Sequence, residues 1–418
     1  MADREKVVLA YSGGLDTSAA VVWLQEHYGM DVITLTIDVG NEKDFTAVRE
    51  KALQVGAIEA LVVDAKQMFM DFFVWPALQA NALYEGQYPL ATALSRPLMA
   101  KLLVDTAREK GATAVAHGCT GKGNDQVRFE VGIRTLAPEL RIIAPAREWG
   151  MTREETIAYA EKHGIPIPVT VRSPYSIDEC LWGKSIECGV LEDPWQEPPE
   201  DAFTWTRPIA RTPDEPEYVE IAFTRGIPTA INGREAGGVA LVQHLNELAG
   251  KHGIGRIDHI EDRVVGIKSR EIYEAPAASV LLKAHRALEA LTLSRDQLRF
   301  KEKVTQEYSD MIYNGLWFSA LNRDLSAFIR SSQRSVTGTV RMKLHKGNAI
   351  VAGRQAPQSL YNLSLATYDK GDVFDQSASP GFIHLFGLAT QTQAQVQMLA
   401  DIQGPLSLLG RGEDREDP

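Results

Sequence analysis

The chain has 418 residues, of which 44% are hydrophobic and 24% charged, and its formal net charge at pH 7 is −11. This length exceeds what one compact core accommodates and favours two domains with appendages, and the composition is that of a globular protein. The acidic balance disfavours sequence-independent binding of nucleic acid, which requires clustered Lys and Arg side chains to neutralise phosphates.

Residues 1–170 are predicted to alternate between short apolar strands and helices. The apolar runs typical of strands cover residues 7–11, 32–37, 60–63, 113–117 and 141–144. Helices are predicted over residues 18–28, 45–55 and 97–110, and a fourth begins at the capping box Thr152…Glu155 and stops at Gly164. This alternation predicts an α/β fold with a doubly wound parallel sheet and helices on both of its faces.

After residue 170 the pattern becomes that of a second, α+β domain, predicted to extend over residues 171–385. Six prolines mark residues 191–216 as a linker that forms neither a helix nor a central strand. Hairpins are predicted at 218–224 with 229–231 and at 336–344 with 349–353, and helices at 240–249, 277–290, 295–313 and 320–332. The last part, residues 386–418, is expected to hold a helix from Gly387 onwards and a frayed acidic tail.

Cysteine and histidine usage and the start of the chain indicate the cellular setting. There are three cysteines, an odd number without a C-x-x-C pair, so we expect no disulfide framework and a reducing cytoplasm. The histidines form neither an H-E-x-x-H motif nor a cluster with cysteines, so no metal held by protein ligands is expected. Residues 1–6 lack the apolar region of a signal peptide, and no apolar run reaches the length of a membrane span.

The strongest local signal is the run Ser12-Gly13-Gly14-Leu15-Asp16-Thr17-Ser18, between the first predicted strand and the first helix. Glycines let the backbone approach an anion closely, and the free N–H groups of a helix start favour phosphate. This run and Gly118-Cys119-Thr120 both follow strands, where ligands bind in parallel sheets. The run is neither a Walker A nor a Rossmann motif. By themselves these residues fit either a phosphate loop or a Ser/Gly turn with Asp16 and Thr17 capping a helix.

The run also resembles the pyrophosphate loop of the N-type ATP pyrophosphatases. In that superfamily the loop holds the pyrophosphate end of ATP while a substrate oxygen attacks the α-phosphorus. Four further segments resemble the argininosuccinate synthase family within it. They are Ala10-Tyr11 before the loop, the run from His117 to Glu130, the run from Pro174 to Glu179 with Ser185, and Glu261 with the run from Lys268 to Glu274. The resemblance extends from about residue 6 to about residue 385.

The resemblance implies an activity and an assembly. A ligase of this family uses ATP to convert the ureido oxygen of citrulline into an adenylate, and the amine of aspartate then displaces AMP. Mg²⁺ is expected on the pyrophosphate. The resemblance also implies a homotetramer, with residues 1–170 as the nucleotide-binding domain, residues 171–385 as the synthetase and multimerisation domain, and a C-terminal helix that joins subunits. Neither nucleic acid nor a membrane is an expected partner.

The resemblance further implies roles for individual residues. ATP is expected to contact Ala10, Tyr11, Ser12, Gly13, Gly14, Leu15, Asp16, Thr17, Ser18, Ile37 and Gly118, with Asp16 also assigned as catalytic. Citrulline is expected to contact Tyr88, Asn124, Arg128, Ser176, Ser185, Glu261 and Tyr273. Aspartate is expected to contact Thr120, Asn124 and Asp125. A planar guanidinium such as that of Arg128 suits a carboxylate, and Glu261 suits an ammonium group.

Two positions depart from the family's usual residues. Ile37 stands where Ala is usual, and it is expected to contact adenine through its backbone. Ala93 stands where a Ser contacts citrulline, so Thr92 or water takes over that contact, or the affinity for citrulline is lower. Ala93 is therefore left out of the expected site.

Two other functions share parts of this sequence pattern. A tRNA-thiolating enzyme of the same superfamily needs paired reactive cysteines and a basic surface, whereas Cys180 and Cys188 lie near acidic residues. An adenine-nucleotide sensor without enzymatic activity would keep the loop and lose the residues that bind amino acids, which this chain retains. Nothing in the chain is required to act as a covalent nucleophile, and the sequence identifies no base for the aspartate amine.

Overall fold

The computed structural model of the chain describes residues 4–166 and 174–398. The predicted acidic tail and the predicted boundary between residues 170 and 171 lie outside these ranges. The strands are β1 Lys6–Ala10, β2 Asp31–Asp38, β3 Glu59–Asp64, β4 Ala114–Ala116, β5 Arg141–Ile143, β6 Ser176–Cys180, β7 Gly183–Glu187, β8 Glu217–Thr224, β9 Ile227–Ile231, β10 Arg234–Glu235, β11 Arg256–Asp262, β12 Lys268–Glu274, β13 Gly338–His345 and β14 Asn348–Gln355. The helices are α1 Leu15–Tyr28, α2 Phe45–Gln54, α3 Lys66–Phe69, α4 Trp75–Ala80, α5 Ala91–Lys110, α6 Asn124–Leu136, α7 Pro145–Glu148, α8 Arg153–Lys162, α9 Gly238–Lys251, α10 Pro276–Thr292, α11 Arg295–Tyr313, α12 Ala320–Ser332, α13 Leu363–Ala366 and α14 Ser379–Gln393.

The first five strands form the parallel sheet that the sequence predicts. Their order is β3-β2-β1-β4-β5, and every pairing is parallel. Successive side chains of a strand point to opposite faces. Val7 and Leu9 accordingly pack in one core with α1, and Val8 packs in another core with residues of α5. Helices therefore cover both faces, and the α/β prediction is confirmed.

The remaining strands form two antiparallel sheets. One has the order β10-β9-β8-β13-β14, so that the two predicted hairpins join edge to edge through β8 and β13. The other has the order β11-β12-β7-β6, and the sequence reading did not assign its strands. These strands are rich in charged and hydroxyl side chains, for example Ser-Ile-Asp-Glu-Cys in β6, and therefore lack the apolar pattern by which strands are recognised.

Two predicted helix starts were wrong. The helix predicted to start at Pro97 begins six residues earlier, at Ala91, and includes Pro97 in its interior. Every residue from Ala91 to Leu98 is buried, so packing outweighs the hydrogen bond that a proline cannot donate. The C-terminal helix begins at Ser379 rather than Gly387, with a proline in its first turn.

The described residues fall into two compact units, divided between Leu360 and Tyr361. The second unit contains α13 and α14, and a π-helical turn over Ala394–Met398 follows α14. Several large apolar side chains of α14 are exposed, among them Phe382, Ile383, Leu385 and Phe386. Within the described part of the chain, no helix combines the length and the apolar character that crossing a bilayer would require.

The proline-rich segment 191–216 belongs to the first unit, and a buried carboxylate anchors its middle. Glu274, the last residue of β12, is fully buried. Its oxygens accept hydrogen bonds from the backbone N–H groups of Thr204, Trp205 and Thr206 at 2.8–3.0 Å and from the Thr206 hydroxyl at 2.7 Å. The segment contains short 3-10 turns but no α-helix or strand, as predicted, and it is nonetheless anchored in the core.

We predict that Glu274→Ala lowers the free energy of unfolding by about 3–5 kcal/mol, because it leaves several donors without an acceptor in a buried place. Urea denaturation followed by circular dichroism measures this change. Glu247→Ala, at an exposed position of α9, serves as the matched control and is expected to change stability by less than about 0.5 kcal/mol. Equal stability of the two variants would contradict the anchoring role of Glu274.

Candidate active site

The loop between β1 and α1 is shaped by its glycines and hydroxyls. Gly13 has a φ of 76°, in the left-handed region that favours glycine, and a Cβ there would lie 3.0 Å from the Val48 side chain. The Ser12 hydroxyl lies 3.1 Å from the Thr17 hydroxyl and accepts a hydrogen bond from the Gly14 N–H at 3.3 Å. The loop thus leads directly into the first turn of α1, where N–H groups and the helix dipole favour an anion.

A cavity of about 270 Å³ opens beside this loop, at the carboxyl ends of the parallel strands. Its wall includes residues that follow β1, β2 and β4, as expected for a ligand site in such a sheet. Gly118 lies where a Cβ would come within 3.0 Å of the Thr17 side chain, so glycine permits the close approach of the two loops. The predicted ATP contacts that line this first cavity are Ala10, Tyr11, Ser12, Gly14, Leu15, Asp16, Thr17, Ile37 and Gly118.

Two predicted ATP contacts lie behind the lining. Ser18 is fully buried, and its hydroxyl lies 2.9 Å from that of Tyr11. Gly13 is turned towards Val48 of α2. Both residues therefore shape the loop from behind, and the cavity wall is formed by their neighbours.

Two lysines from outside the loop bring positive charge to it. Lys43, in the segment after β2, lines the first cavity and donates to the Ser12 carbonyl at 3.3 Å. Lys51, on α2, donates to the Gly13 carbonyl at 3.0 Å, and partial burial lowers its pKa. The loop has no lysine of its own, and these two provide the cationic surroundings that phosphates require. The loop motif alone could not reveal them, because both come from later in the chain.

A second cavity, of about 260 Å³, is built on one polar face of the sheet β11-β12-β7-β6. Directly paired residues of antiparallel strands lie on the same face. The pairs Asp178 with Ser185, Ser185 with Tyr273, and Ser269 with Glu261 therefore carry polar side chains across the four strands. All the predicted contacts of the two amino acids line this cavity: Tyr88, Thr120, Asn124, Asp125, Arg128, Ser176, Ser185, Glu261 and Tyr273.

Charge pairing organises the wall that α5 and α6 contribute. Arg96 donates to Asp125 at 2.6 Å and is also paired with Asp178. Arg128 lies 3.1 Å from the other oxygen of Asp125. Burial by itself would raise the pKa of Asp125, but the two arginines outweigh it and lower that pKa to about 2. The carboxylate is therefore ionised throughout the physiological range.

Arg128 retains capacity for a ligand. Its Nε donates to the Tyr313 carbonyl at 2.9 Å, and its guanidinium lies 4.7 Å from the centre of the Tyr313 ring. Its Nη2 is buried and has no hydrogen-bond partner among the residues that the structure describes. An unpartnered N–H group in a buried guanidinium is costly unless a ligand accepts from it. This observation favours an anionic group in the second cavity.

Glu261 brings the opposite charge to the same cavity. It is buried, and its two oxygens accept hydrogen bonds from the hydroxyls of Tyr273 and Tyr313, each at 2.5 Å. Tyr273 stacks on Tyr88 with ring centres 4.1 Å apart. The cavity thus holds a fixed carboxylate and a fixed guanidinium, a combination suited to the ammonium and carboxylate groups of an amino acid.

The two cavities adjoin, because Cys119 and Asp178 line both of them. Burial raises the pKa of the Cys119 thiol well above its usual value, with Asp125 adding to the effect. Burial likewise raises the pKa of Cys180 to about 12. Both side chains are therefore neutral thiols at physiological pH and poor nucleophiles. The two sites therefore share this part of their walls.

The expected catalytic residue, Asp16, lies in the first turn of α1 at the first cavity. Surrounding protein atoms raise its pKa, and the charge of Arg153 opposes this effect. Within residues 4–166 and 174–398, no group of three or more His, Cys, Asp or Glu side chains is arranged to hold a metal ion.

The position of Ala93 is fully buried on α5, and its neighbour Thr92 faces the second cavity. The Thr92 hydroxyl lies 2.9 Å from the hydroxyl of Tyr88. The sequence left Thr92 or water as replacements for the missing contact, and the hydroxyl of Thr92, the preceding residue, is present at the cavity wall.

Sequence reasoning missed several residues of the site. Lys43, Arg96, Asp178, Arg263 and Glu271 line the cavities, and Tyr313 supports the second one from behind. Asp178 and Glu271 lie inside the runs that resemble the family. Asp178 is two residues from Ser176 in β6, and Glu271 is two residues from Tyr273 in β12, so the alternation of side chains along a strand could have predicted that both face the site. Tyr313 ends a correctly predicted helix, and only the folded chain brings it to the site.

Glu271 is held in an acidic neighbourhood. Arg263 bridges it to Glu187, with Nη2 2.8 Å from Glu271 and 2.7 Å from Glu187. Burial, together with the charge of Glu187, raises the pKa of Glu271 to about 8, although Arg263 opposes the shift. Glu271 is therefore mostly protonated at neutral pH in the free protein.

Two family models and several known proteins match this chain over most of its length. The family model described as Arginosuccinate synthase N-terminal HUP domain matches residues 6–166, and the one described as Arginosuccinate synthase C-terminal domain matches residues 175–393. Argininosuccinate synthase of Dehalococcoides mccartyi strain ATCC BAA-2266 / KCTC 15142 / 195 is 66% identical over 397 residues, which cover 95% of this chain and 98% of that protein. The protein of the same name from Synechococcus sp. strain JA-3-3Ab is 58% identical, with the same coverage.

One solved structure is also similar in part. It is the U34-tRNA thiolase NcsA from Methanococcus maripaludis with its 4Fe-4S cluster, at 16% identity and a TM-score of 0.27. The match covers 40% of this chain and 58% of that chain, and a similarity of this size has no bearing on function.

The raised pKa of Glu271 predicts a pH dependence of stability. The folded chain holds a proton on this side chain up to about pH 8, whereas the unfolded chain releases it near the ordinary value of 4.5. The contribution of the Glu271 carboxyl group to the free energy of unfolding is therefore fully present below about pH 4.5, and it is lost as the pH rises through about 8. Glu271→Gln stays neutral, so its stability relative to wild type should increase by roughly 2–4 kcal/mol between pH 5 and pH 9.

Urea denaturation of both proteins at several pH values measures this difference. Glu247→Gln, on the exposed face of α9, is the control and should follow wild type at every pH. A constant difference between Glu271→Gln and wild type across this range would show that Glu271 is ionised like an ordinary carboxylate.

Proposed function

Because this chain belongs to the argininosuccinate synthase family, we propose that its two adjoining cavities carry out the family's reaction with the residues assigned below. The chain is a ligase that forms a C–N bond: it condenses citrulline with aspartate to argininosuccinate, consumes ATP and releases AMP and pyrophosphate, as a step of arginine biosynthesis. One observation supports the assignment of residues: the two cavities adjoin, because Cys119 and Asp178 line both of them.

In this proposal ATP occupies the first cavity. The pyrophosphate end lies at the Ser12–Ser18 loop, where N–H groups, hydroxyls and the start of α1 face it. Lys43 adds a positive charge, and Ile37 and Gly118 line the nucleotide's path. Gly13 and Ser18 act indirectly, by holding the loop in shape.

Citrulline occupies the second cavity. Arg128 receives its carboxylate through the unpartnered Nη2, and Glu261 receives its ammonium group. Ser176, Ser185 and the Tyr88–Tyr273 stack line the remaining wall, and the ureido end points to the wall that the two cavities share. Thr120, Asn124 and Asp125, from the loop before α6 and its first turn, bind aspartate beside that shared wall.

The mechanism follows from this placement. The ureido oxygen attacks the α-phosphorus of ATP and forms a citrullyl adenylate, and pyrophosphate leaves along the loop. The amine of aspartate then attacks the ureido carbon and AMP leaves. The side chains bind, orient and stabilise charge, and none forms a covalent bond, which agrees with the neutral thiol of Cys119.

Mg²⁺ is proposed to enter bound to ATP. Asp16 and Asn41 line the first cavity and offer the oxygen atoms that Mg²⁺ prefers when phosphates supply its other ligands. When bound, the ion would offset the charge of the departing pyrophosphate.

We further propose a cytoplasmic homotetramer. Residues 1–170 would be the nucleotide-binding domain, residues 171–385 the synthetase and multimerisation domain, and residues 386–418 the C-terminal helix and tail. The exposed apolar side chains of α14 support a subunit contact, because such patches commonly mark interaction sites.

Turnover of three substrates tests the proposal. The protein should release pyrophosphate and form argininosuccinate only when ATP, Mg²⁺, citrulline and aspartate are all present, as measured by a coupled pyrophosphate assay and mass spectrometry. Asp16→Ala should lower turnover by about 100-fold or more with the fold retained, because it removes an oxygen atom proposed to hold Mg²⁺ at the pyrophosphate end of ATP.

Asp296→Ala is the matched control, since Asp296 is an exposed acidic residue in the first turn of α11. It should retain wild-type turnover. Full activity of Asp16→Ala would refute the assignment of the loop, and pyrophosphate release without citrulline would refute the reaction.

The role of Thr92 is separately testable. Thr92→Val keeps the shape of the side chain and removes its hydroxyl, so the KM for citrulline should rise about three- to tenfold, with the KM for ATP unchanged. Thr135→Val, on the exposed surface of α6, is the control. An unchanged KM for citrulline would show that Thr92 does not take over the contact missing at Ala93.

A further inference from the structure

Three of the residues assigned to citrulline make contact with one side chain that lies outside the cavity lining. Tyr313, the last residue of α11, is fully buried. Its hydroxyl donates to Glu261 Oε1 at 2.5 Å and accepts from Asn124 Nδ2 at 2.9 Å. Its carbonyl accepts from Arg128 Nε at 2.9 Å, and its ring lies beneath the Arg128 guanidinium.

We propose that Tyr313 is a positioning residue that holds Glu261 and Arg128 at the separation of the ammonium and carboxylate groups of citrulline. This inference rests on the function proposed above and adds a residue to it. One rigid side chain contacts both the anion and the cation that recognise the substrate. Moving it would alter their spacing even though Tyr313 does not touch the ligand itself.

The surroundings fix Tyr313 in one orientation. Its ring stacks on Tyr84, with centres 3.5 Å apart and planes within 5° of each other. The chain turns immediately after the helix at Gly315, with a φ of 74°, and a Cβ there would lie 2.8 Å from Arg128 Cα. Glycine at this position therefore lets the end of α11 approach α6 closely enough for the contacts of Tyr313 to form.

The protonation state of Tyr313 is compatible with this role. Burial raises its pKa above the ordinary value, and the negative charge of Glu261 raises it further. The hydroxyl consequently remains a donor to the carboxylate across the physiological range. The other oxygen of Glu261 is held by Tyr273, which lines the cavity, so the two tyrosines restrain the carboxylate from two sides.

The test is Tyr313→Phe, which keeps the ring and removes the hydroxyl. The KM for citrulline should rise roughly 10- to 100-fold, because a hydrogen bond to a charged group is lost. The KM for ATP should stay within about twofold, since no contact of the Tyr313 hydroxyl reaches the first cavity among the described residues. Calorimetric titration with citrulline should show the same loss of affinity.

Tyr308→Phe is the matched control, because Tyr308 lies on the same helix, is fully buried, and its hydroxyl lies 3.4 Å from that of Ser326. It should leave all three KM values unchanged. A citrulline KM within twofold of wild type in Tyr313→Phe would overturn the role of Tyr313, as would an equal rise of the KM for citrulline and ATP. Wild-type protein without citrulline-dependent turnover would instead refute the proposed function, and the role of Tyr313 with it.

Discussion

The carboxylate of Asp125 and its two arginines hold the site together. Arg96 belongs to α5 and lines the first cavity, Arg128 belongs to α6 and lines the second, and Asp125 pairs with both. Buried charges of this kind are tolerated only when they are mutually neutralised. The network therefore sets the distance between the two helices, and with it the distance between the two cavities.

Burial and neighbouring charges also determine the properties of the polar sheet beneath the second cavity. A sheet face covered with Ser, Asp, Glu and Tyr side chains contributes little to a hydrophobic core, and its hydrogen bonds are kept for ligands and for each other. Burial of such a face raises the pKa of a carboxyl group that lacks enough partners, as at Glu271, and lowers it where cations dominate, as at Asp125. Charge balance thus differs from one side of the cavity to the other.

The sequence predicted those parts of the fold and site whose signals are local. Short stretches of sequence predict the strands of the parallel sheet, the capping box at Thr152 and the helix 295–313. The structure contains all three. The strands of the polar sheet were not predicted, because charged and hydroxyl side chains interrupt their apolar periodicity. Lys43, Arg96 and Tyr313 were not predicted either, since each acts through a contact that only the tertiary fold creates. The start of α5 was misjudged because burial, rather than propensity, decides it.

The hydrogen bonds between residues 204–206 and Glu274 determine where the chain can be cut into fragments that still fold. By composition the proline-rich segment resembles a tether between two independent halves, and a protease would be expected to cut it. Its backbone is instead fixed to the end of β12, so limited proteolysis should spare this stretch. A C-terminal fragment expressed without it would bury a bare carboxylate, so the segment belongs to the same folding unit as the strands that follow it.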